Sequence, residues 1–523
     1  MRDWWPRLIV LALLAAVIGV PFLFRQTEAR QPDEQAGERL VIFTPHNEQI
    51  RYEFATGFNA WRRGQGRSAV EFDWRSSGGT SDLRRVVLDQ FRDAARDGRE
   101  DGGIGADLFF GGGPYDHDKL ADGVRIGRDG KPVTVLVVEP APLSPQDLTA
   151  IYGEAADIGG APLYRKDLRW LGTTLSSFGI VYNRDVLAML KTAEPTTWSD
   201  LAEPPLRGWV GVADPGHSGS ATTTYDAILR RLGWHKGWWV LRRVFANARY
   251  FASMSSKVPV DVTNGDVAAG MCIDFYGRFQ SGAIAGADLS EGAAGRVGYV
   301  DPPFMTAISA DPISLLRGAP NRATAVEFIA WVLSPQGQRL WQRRVGEPDG
   351  PRRFELRRLP ISPDLYRDDE RRHWTDPEAD PFGIAKPFAP GMPSFFNAVE
   401  TVSQAIAIDV RDDLVAAWDA ICHNADHPRT ALRYKEMLRL FDQMPEALTI
   451  AWPDSRPDAA WQLILQDAND PDHAAAANAV GAFMAGLSDR WKKDRDAKVA
   501  DRLAWTRFFR DNYRRIVEIA GKR

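Results

Sequence analysis

The chain has 523 residues, of which 44% are hydrophobic and 26% charged, with a formal net charge of -4. This is the composition of a globular protein of two or three domains. It excludes a disordered chain and a general nucleic-acid binder with a basic surface. Only two cysteines are present, Cys272 and Cys422, which excludes a disulfide-dense scaffold and leaves two free thiols as the expectation.

Residues 8–24 (LIVLALLAAVIGVPFLF) carry no charge, with Arg2 and Arg7 before them and Arg25 and Arg30 after. The run is at the short end of a membrane span, and its flanks are those of a signal peptide or signal anchor. No good small-x-small cleavage site follows, and no cysteine lies nearby to take a lipid. Residues 1–25 are therefore expected to be an uncleaved anchor, in preference to a cleaved signal, with the bulk of the chain exported. Residues 26–38, rich in Gln, Glu, Arg, Pro and Gly, suit a tether.

Strand and helix patterns then alternate. Leu40-Val41-Ile42-Phe43 predicts a buried strand, and Ile50, Phe54 and Phe58 at four-residue spacing predict a helix. Val70 to Trp74 alternates apolar and acidic residues, as a half-buried strand does. The loop Ser76-Ser77-Gly78-Gly79-Thr80-Ser81 leads into an amphipathic helix, and Ala106 to Phe110 predicts a further strand ending in Gly111-Gly112-Gly113. Such alternation implies an α/β sheet that is largely parallel. A second unit repeats the scheme. Trp209 to Ala213 is its strand, Asp214 to Thr222 its loop, and Tyr225, Ile228, Leu229 and Leu232 mark the next helix. Residues 171–183 suit a strand crossing between lobes, and residues 297–316 a return. The expected layout is lobe 1 over 39–172, lobe 2 with its crossing strand over 173–300, a return to lobe 1 over 301–345, an irregular Pro/Arg/Asp-rich connector over 346–392, and a helical region over 393–523.

The two Ser/Gly/Thr loops carry the strongest chemical signal. A helix N-terminus leaves N–H groups unpaired and has partial positive charge, glycine lets backbone approach a ligand, and hydroxyls donate further bonds. Ordinary N-capping asks for the same residue types, but one such loop per lobe, each between a strand and a helix, points to an anion site. The candidate binding residues are Ser76, Ser77, Gly78, Gly79 and Thr80 in lobe 1, and Ser218, Gly219, Ser220, Ala221 and Thr222 in lobe 2. His46 and Asn47 in the first loop, Ser256 ahead of a proline, and Asp274 with Tyr276 complete the set. Cys422-His423-Asn424-Ala425-Asp426-His427 lacks the second ligand pair that a zinc site needs. Many of the eighteen tryptophans, among them Trp234, Trp238, Trp239, Trp418 and Trp461, fall at helical spacing and suit core packing. No nucleophile elbow, HExxH, Walker A loop or CxxC is present, so no catalytic residue is assigned.

The strand leading to SSGGTSD, Ala106 to Gly113, the crossing Leu175 to Asn183, Val267 to Tyr276, and Asp311-Pro312-Ile313 with Leu316 to Asn321 together resemble the bacterial extracellular solute-binding family, in the branch of iron(III)- and phosphonate-binding periplasmic proteins. The resemblance covers residues 40–345, and weakly reaches 421 through Pro393 to Trp418. It implies a two-lobed α/β periplasmic-binding-protein fold of type II-like plan, here with an N-terminal membrane segment and a C-terminal helical extension. It also implies an interlobe cleft, hinge closure without catalysis, and ABC permease subunits as partners. The implied location is periplasmic, attached to the membrane through residues 8–24, with no nucleic-acid partner. The iron(III) branch uses two adjacent tyrosines, where this chain has Phe275-Tyr276. That moves the expected ligand from ferric ion to an anionic small solute: a phosphonate, a phosphate ester or a carboxylate. Ferric ion remains as an alternative transported ligand, with His46, Glu48 and Tyr276 as its candidate set. A membrane-tethered sensor or interaction protein, and a carbohydrate-binding transport protein, are the other readings.

Overall fold

The computed structural model describes residues 37–521, apart from residues 77, 129, 155, 286–294 and 425–430. The candidate anchor at 8–24, most of the tether, Ser77, and the Asp426 and His427 of the C-terminal cluster lie outside the described residues. Among those described, no helix is long and apolar enough to cross a membrane.

The first sheet takes strands from both ends of the chain. Its strands are β1 (Glu38–Phe43), β2 (Val70–Arg75), β3 (Leu108–Phe110), β4 (Val138–Glu139), β5 (Leu171–Ser176), β11 (Ser309–Leu316) and β12 (Leu359–Pro360), ordered β12-β5-β11-β3-β1-β2 with β4 on the side of β11. The second sheet holds β6 (Phe178–Asn183), β7 (Val210–Ala213), β8 (Ala248–Ala252), β9 (Ala269–Ile273) and β10 (Val297–Val300), ordered β8-β7-β9-β6-β10. The chain passes from one sheet to the other at Ser177, between β5 and β6, and comes back between β10 and β11.

The sheets are mixed, not largely parallel as the strand–helix alternation suggests. β1 runs parallel to β2 and β3, and β7 parallel to β8 and β9. The strands that cross and return pair antiparallel: β11 with β3 and β5, and β6 with β9 and β10. A strand that enters a sheet from the opposite lobe arrives without a crossover helix of its own, so nothing constrains it to the parallel sense.

Helix α1 (Glu48–Gly64) starts where the Asn47 carboxamide accepts the Ile50 N–H at 3.0 Å, a cap worth about 1 kcal/mol. Its buried face, Ile50, Phe54 and Phe58, packs on Phe328 and Trp331 of α8 (Arg322–Leu333) and on Trp341. Helices α2 (Thr80–Arg96) and α3 (Pro114–Ala121) lie over the other face of the first sheet. In lobe 2, α4 (Gly219–Leu232) and α5 (Trp234–Asn247) cover one face of the second sheet. Helices α6 (Lys257–Asn264) and α7 (Asp274–Ala285) follow β8 and β9.

The C-terminal region is helical: α9 (Phe396–Ile406), α10 (Arg411–His423), α11 (Ala431–Asp442), α12 (Asp458–Gln466), α13 (His473–Lys493) and α14 (Arg495–Gly521). It is no separate body. Val402, Ile406, Trp418, Phe441 and Phe509 share one continuous core with Trp234, Trp238 and Leu241 of lobe 2. Trp234, Trp238 and Trp461 are fully buried there, as helical spacing predicts for core residues.

The stretch 346–392 is irregular but firmly held. Glu53 on α1, itself buried, accepts the consecutive N–H groups of Arg352, Arg353 and Phe354 at 2.6, 2.7 and 2.8 Å. Five residues on, β12 joins the edge of the first sheet at Leu359 and Pro360. Cys272 and Cys422 are free thiols.

Candidate functional site

The two Ser/Gly/Thr loops face each other across the interlobe cleft and wall one chamber of about 240 Å³. Gly78, Gly79 and Thr80 open α2 on the lobe 1 side; Ser218, Gly219 and Ser220 open α4 on the lobe 2 side. Gly113 and Pro114 bring the start of α3 to the same chamber, Ser256 the start of α6, and Phe275 and Tyr276 the start of α7. Helix N-termini from both lobes thus direct their partial positive charge at one volume. Hydroxyls fill much of the wall between them: Thr80, Ser176 and Ser309 from lobe 1, and Ser218, Ser220, Ser255 and Ser256 from lobe 2.

The backbone of the lobe 1 wall has little freedom. Gly111 and Gly112 sit at φ 102° and 104°, a region that L side chains avoid. A methyl on Gly111 would come 2.7 Å from His46 Nε2, and one on Gly112 2.3 Å from Thr80 Cγ2. Across the cleft the lobes touch. A methyl on Gly79 would meet the His217 carbonyl oxygen at 2.5 Å. Tyr115 of α3 stacks on Phe396 of α9 at 4.0 Å between centroids, and its hydroxyl donates to Asn397 Oδ1 at 3.0 Å.

The floor is a buried charge cluster. Arg358, with no exposed side-chain surface, reaches Asp311 Oδ2 at 2.5 Å, donates to Ser176 Oγ at 2.6 Å and lies 3.2 Å from His46 Nε2. Its guanidinium covers the Phe275 ring at 4.5 Å. Burial holds His46 below the usual histidine range, so the imidazole is neutral at pH 7. Burial works against the Asp311 charge, but Arg358 and His46 outweigh it and hold that carboxyl below its ordinary value. Asp311 Oδ1, His46 Nδ1 and Arg358 Nε are buried without a partner. Unpaired polar atoms this deeply buried are an uncompensated cost in the ligand-free protein.

Several candidates are elsewhere or otherwise engaged. Thr222 faces inward and donates to the Pro215 and Ser218 carbonyls at 2.9 and 3.1 Å; a residue one helical turn from the loop has rotated off the cleft face. Ala221 gives its N–H to Ser218 Oγ and does not line the chamber. Asn47 is the cap of α1, and with Ser76 it lines an outer extension of the cleft. Glu48 is exposed and lines neither part of the cleft. The set His46, Glu48 and Tyr276 is therefore not assembled, and no group of three His, Cys, Asp or Glu side chains suited to a metal occurs among the described residues. Asp274 does not line the chamber; both its carboxylate oxygens are buried without a hydrogen bond, and Arg278 Nε lies 4.0 Å away. Sequence reasoning missed Arg358 altogether.

Burial pushes the Asp274 carboxyl up to about 7, with Arg278 pulling the other way. The folded value lies above the unfolded one, so the native state holds an extra proton between about pH 4 and 7. The stability this group contributes is complete below about pH 4 and lost as pH rises through 7. Asp274→Asn is expected to flatten that fall in denaturant-unfolding free energy between pH 5 and 8; an unchanged slope would assign it to another group.

The architecture is two-lobed, with a chamber in the cleft between the lobes. Residues 153–344 match the sequence model of the bacterial extracellular solute-binding protein family. Over 206 residues the chain is 27% identical to the phosphoglycerate transport regulatory protein PgtC of Salmonella typhimurium, covering 38% of this chain and 49% of that protein. An uncharacterized protein of Haemophilus influenzae is 28% identical over 168 residues, covering 32% of this chain and 45% of that protein. The chain thus spans about half the length of the curated relatives it matches. Among solved structures, it is similar to the periplasmic binding protein AfuA of Actinobacillus pleuropneumoniae with exogenous fructose-6-phosphate bound, at a TM-score of 0.49 and 17% identity, covering 73% of this chain and 98% of that one. Iron-bound HitA of Pseudomonas aeruginosa gives a TM-score of 0.44 at 16% identity, covering 67% and 92%.

Proposed function

We propose that the protein is the solute receptor of an ABC-type importer on the outer side of the cytoplasmic membrane, and that it takes an organic phosphate in the interlobe chamber without transforming it. The observation that carries this reading is the convergence of helix N-termini from both lobes on a hydroxyl-lined chamber whose floor holds a fully buried arginine. N–H groups, hydroxyls and a guanidinium are all donors, and a phosphate offers them several strong acceptors in one place. The name of the Salmonella relative, a phosphoglycerate transport regulatory protein, agrees with that class. Ferric ion is less well supported. A guanidinium sits in the cluster where a cation would have to bind, and Tyr276 has a phenylalanine beside it where a second phenolate would be needed.

A second reading, a ligand sensor that signals through its C-terminal helices, draws on one contact: Phe396 and Asn397 of α9 meet Tyr115 at the chamber. Co-purification with a permease would favour import, and with a signalling partner the sensor.

A thermal-shift series tests the ligand class under either reading. Sugar phosphates and glycerol phosphates are expected to raise Tm by several degrees at saturation, with the matching unphosphorylated sugars inert. A shift with sugars or ferric salts and none with phosphates would reject the proposal.

A further inference from the structure

We propose that Arg51 reads a second acidic group on the ligand, so that the cleft selects organic phosphates bearing another anion over simple phosphate monoesters; this rests on the phosphate reading above. The cleft does not end at the inner chamber. It continues outward into a compartment of about 530 Å³ that shares His46, Gly78, Ser256, Phe275 and Tyr276 with the chamber. A ligand seated on the inner donors that extends past these residues would enter the second compartment.

The two compartments differ in charge balance. In the chamber, Arg358 is matched by Asp311, and the wall carboxylate Asp116 is paired with Arg84. In the outer compartment the acceptors of Arg51 among the described residues are neutral, Ser76 Oγ at 2.9 Å and the Asn47 carbonyl at 3.4 Å. Glu355 is the one carboxylate that lines this compartment among the described residues. It accepts the Val345 N–H at 3.4 Å and makes no ion pair with Arg51 within 4.0 Å. Arg51 also lies near the start of α1, where the helix field is positive. A cation there is unfavourable in the free protein, and an anion beside it gains from both sources. The carbon skeleton joining the two acidic groups would pass over Tyr276 and Met254, which line both compartments.

Glycerol 3-phosphate and 3-phosphoglycerate differ at the end away from the phosphate, alcohol against carboxylate. By titration calorimetry the diacid is expected to bind on the order of tenfold more tightly to the unmodified protein, as a charge-assisted hydrogen bond allows. Arg51→Gln should abolish that preference while leaving glycerol 3-phosphate affinity within about twofold, and Arg51→Lys should restore part of it. Unchanged melting of the ligand-free variants controls for folding. Equal binding of the two ligands by the unmodified protein, or equal weakening of both by Arg51→Gln, overturns the role of Arg51 and leaves the phosphate site standing. Binding of neither ligand overturns the phosphate reading itself.

Discussion

Gly79→Ala is expected to cost about a hundredfold in ligand affinity while leaving the melting of the ligand-free protein unchanged. Gly79 has φ -81° and ψ 173°, extended backbone that alanine adopts without strain, so lobe 1 alone has no objection to the methyl. The objection comes from the other lobe. The added carbon would sit 2.5 Å from the His217 carbonyl oxygen, a backbone atom with no rotamer by which to escape. The lobes must then stand apart by enough to restore contact distance, and the donors of one wall move away from a ligand held on the other. Losing one wall of charge-assisted hydrogen bonds is on the order of 3 kcal/mol. Calorimetry for affinity and small-angle scattering for closure check the result. Gly64→Ala is the control, since its added methyl meets nothing within 4 Å. Tight binding by Gly79→Ala would show that the ligand is held in a more open arrangement than this one.

Arg358→Met is expected to destabilise the fold by about 3–5 kcal/mol and to abolish binding. The substitution roughly keeps the volume beside Phe275 and Trp341, so the effect isolates charge. What remains is an Asp311 carboxylate at 5% exposure, 3.4 Å from the His46 imidazole. A buried charge stripped of its counter-ion bears its desolvation cost uncompensated. Adding Asp311→Asn to Arg358→Met should recover much of the unfolding free energy, since it removes the stranded charge, but none of the affinity. Denaturant unfolding of the four members of the cycle measures this. A single-variant loss below about 1 kcal/mol would mean that water reaches the floor.

How much of this was legible in the sequence depends on which residues announce themselves locally. The paired loops did so, because Gly78-Gly79-Thr80 and Ser218-Gly219-Ser220 stand between a strand pattern and a helix pattern, and a helix N-terminus is a local event. Which hydroxyl of such a loop faces the cleft was not readable. Thr222 and Ser220 are the same chemistry two residues apart, and only the helix phase separates them. Asn47 is a helix cap that also lines the outer cleft, since both roles ask for the same side chain. The parallel sheet was expected from alternation alone; antiparallel pairing of β5, β6 and β11 follows from a chain that changes lobes, a tertiary fact without a local signature. Arg358 had no signal. It lies in a stretch rich in Pro, Arg and Asp with neither strand nor helix period, and what makes it the floor of the site is Glu53, some three hundred residues earlier, gripping the backbone just ahead of it.

That grip sets the order in which the molecule is completed. His46 and Arg358 are 312 residues apart in sequence and 3.2 Å apart in space. During synthesis the first lobe emerges as β1 to β3 with its main loop in place, then waits through the whole of the second lobe before β11 brings Asp311 and β12 closes the sheet edge. A chain stopped at residue 345 contains both Ser/Gly/Thr loops and all of the family-matched stretch 153–344, yet its half-built floor has a carboxylate and no guanidinium. Such a fragment presents an unpaired strand edge on β5 and an uncompensated negative charge, which makes it prone to aggregation and repellent to anions. The floor of the chamber is therefore completed late, with the passage of a dozen residues of outwardly shapeless chain.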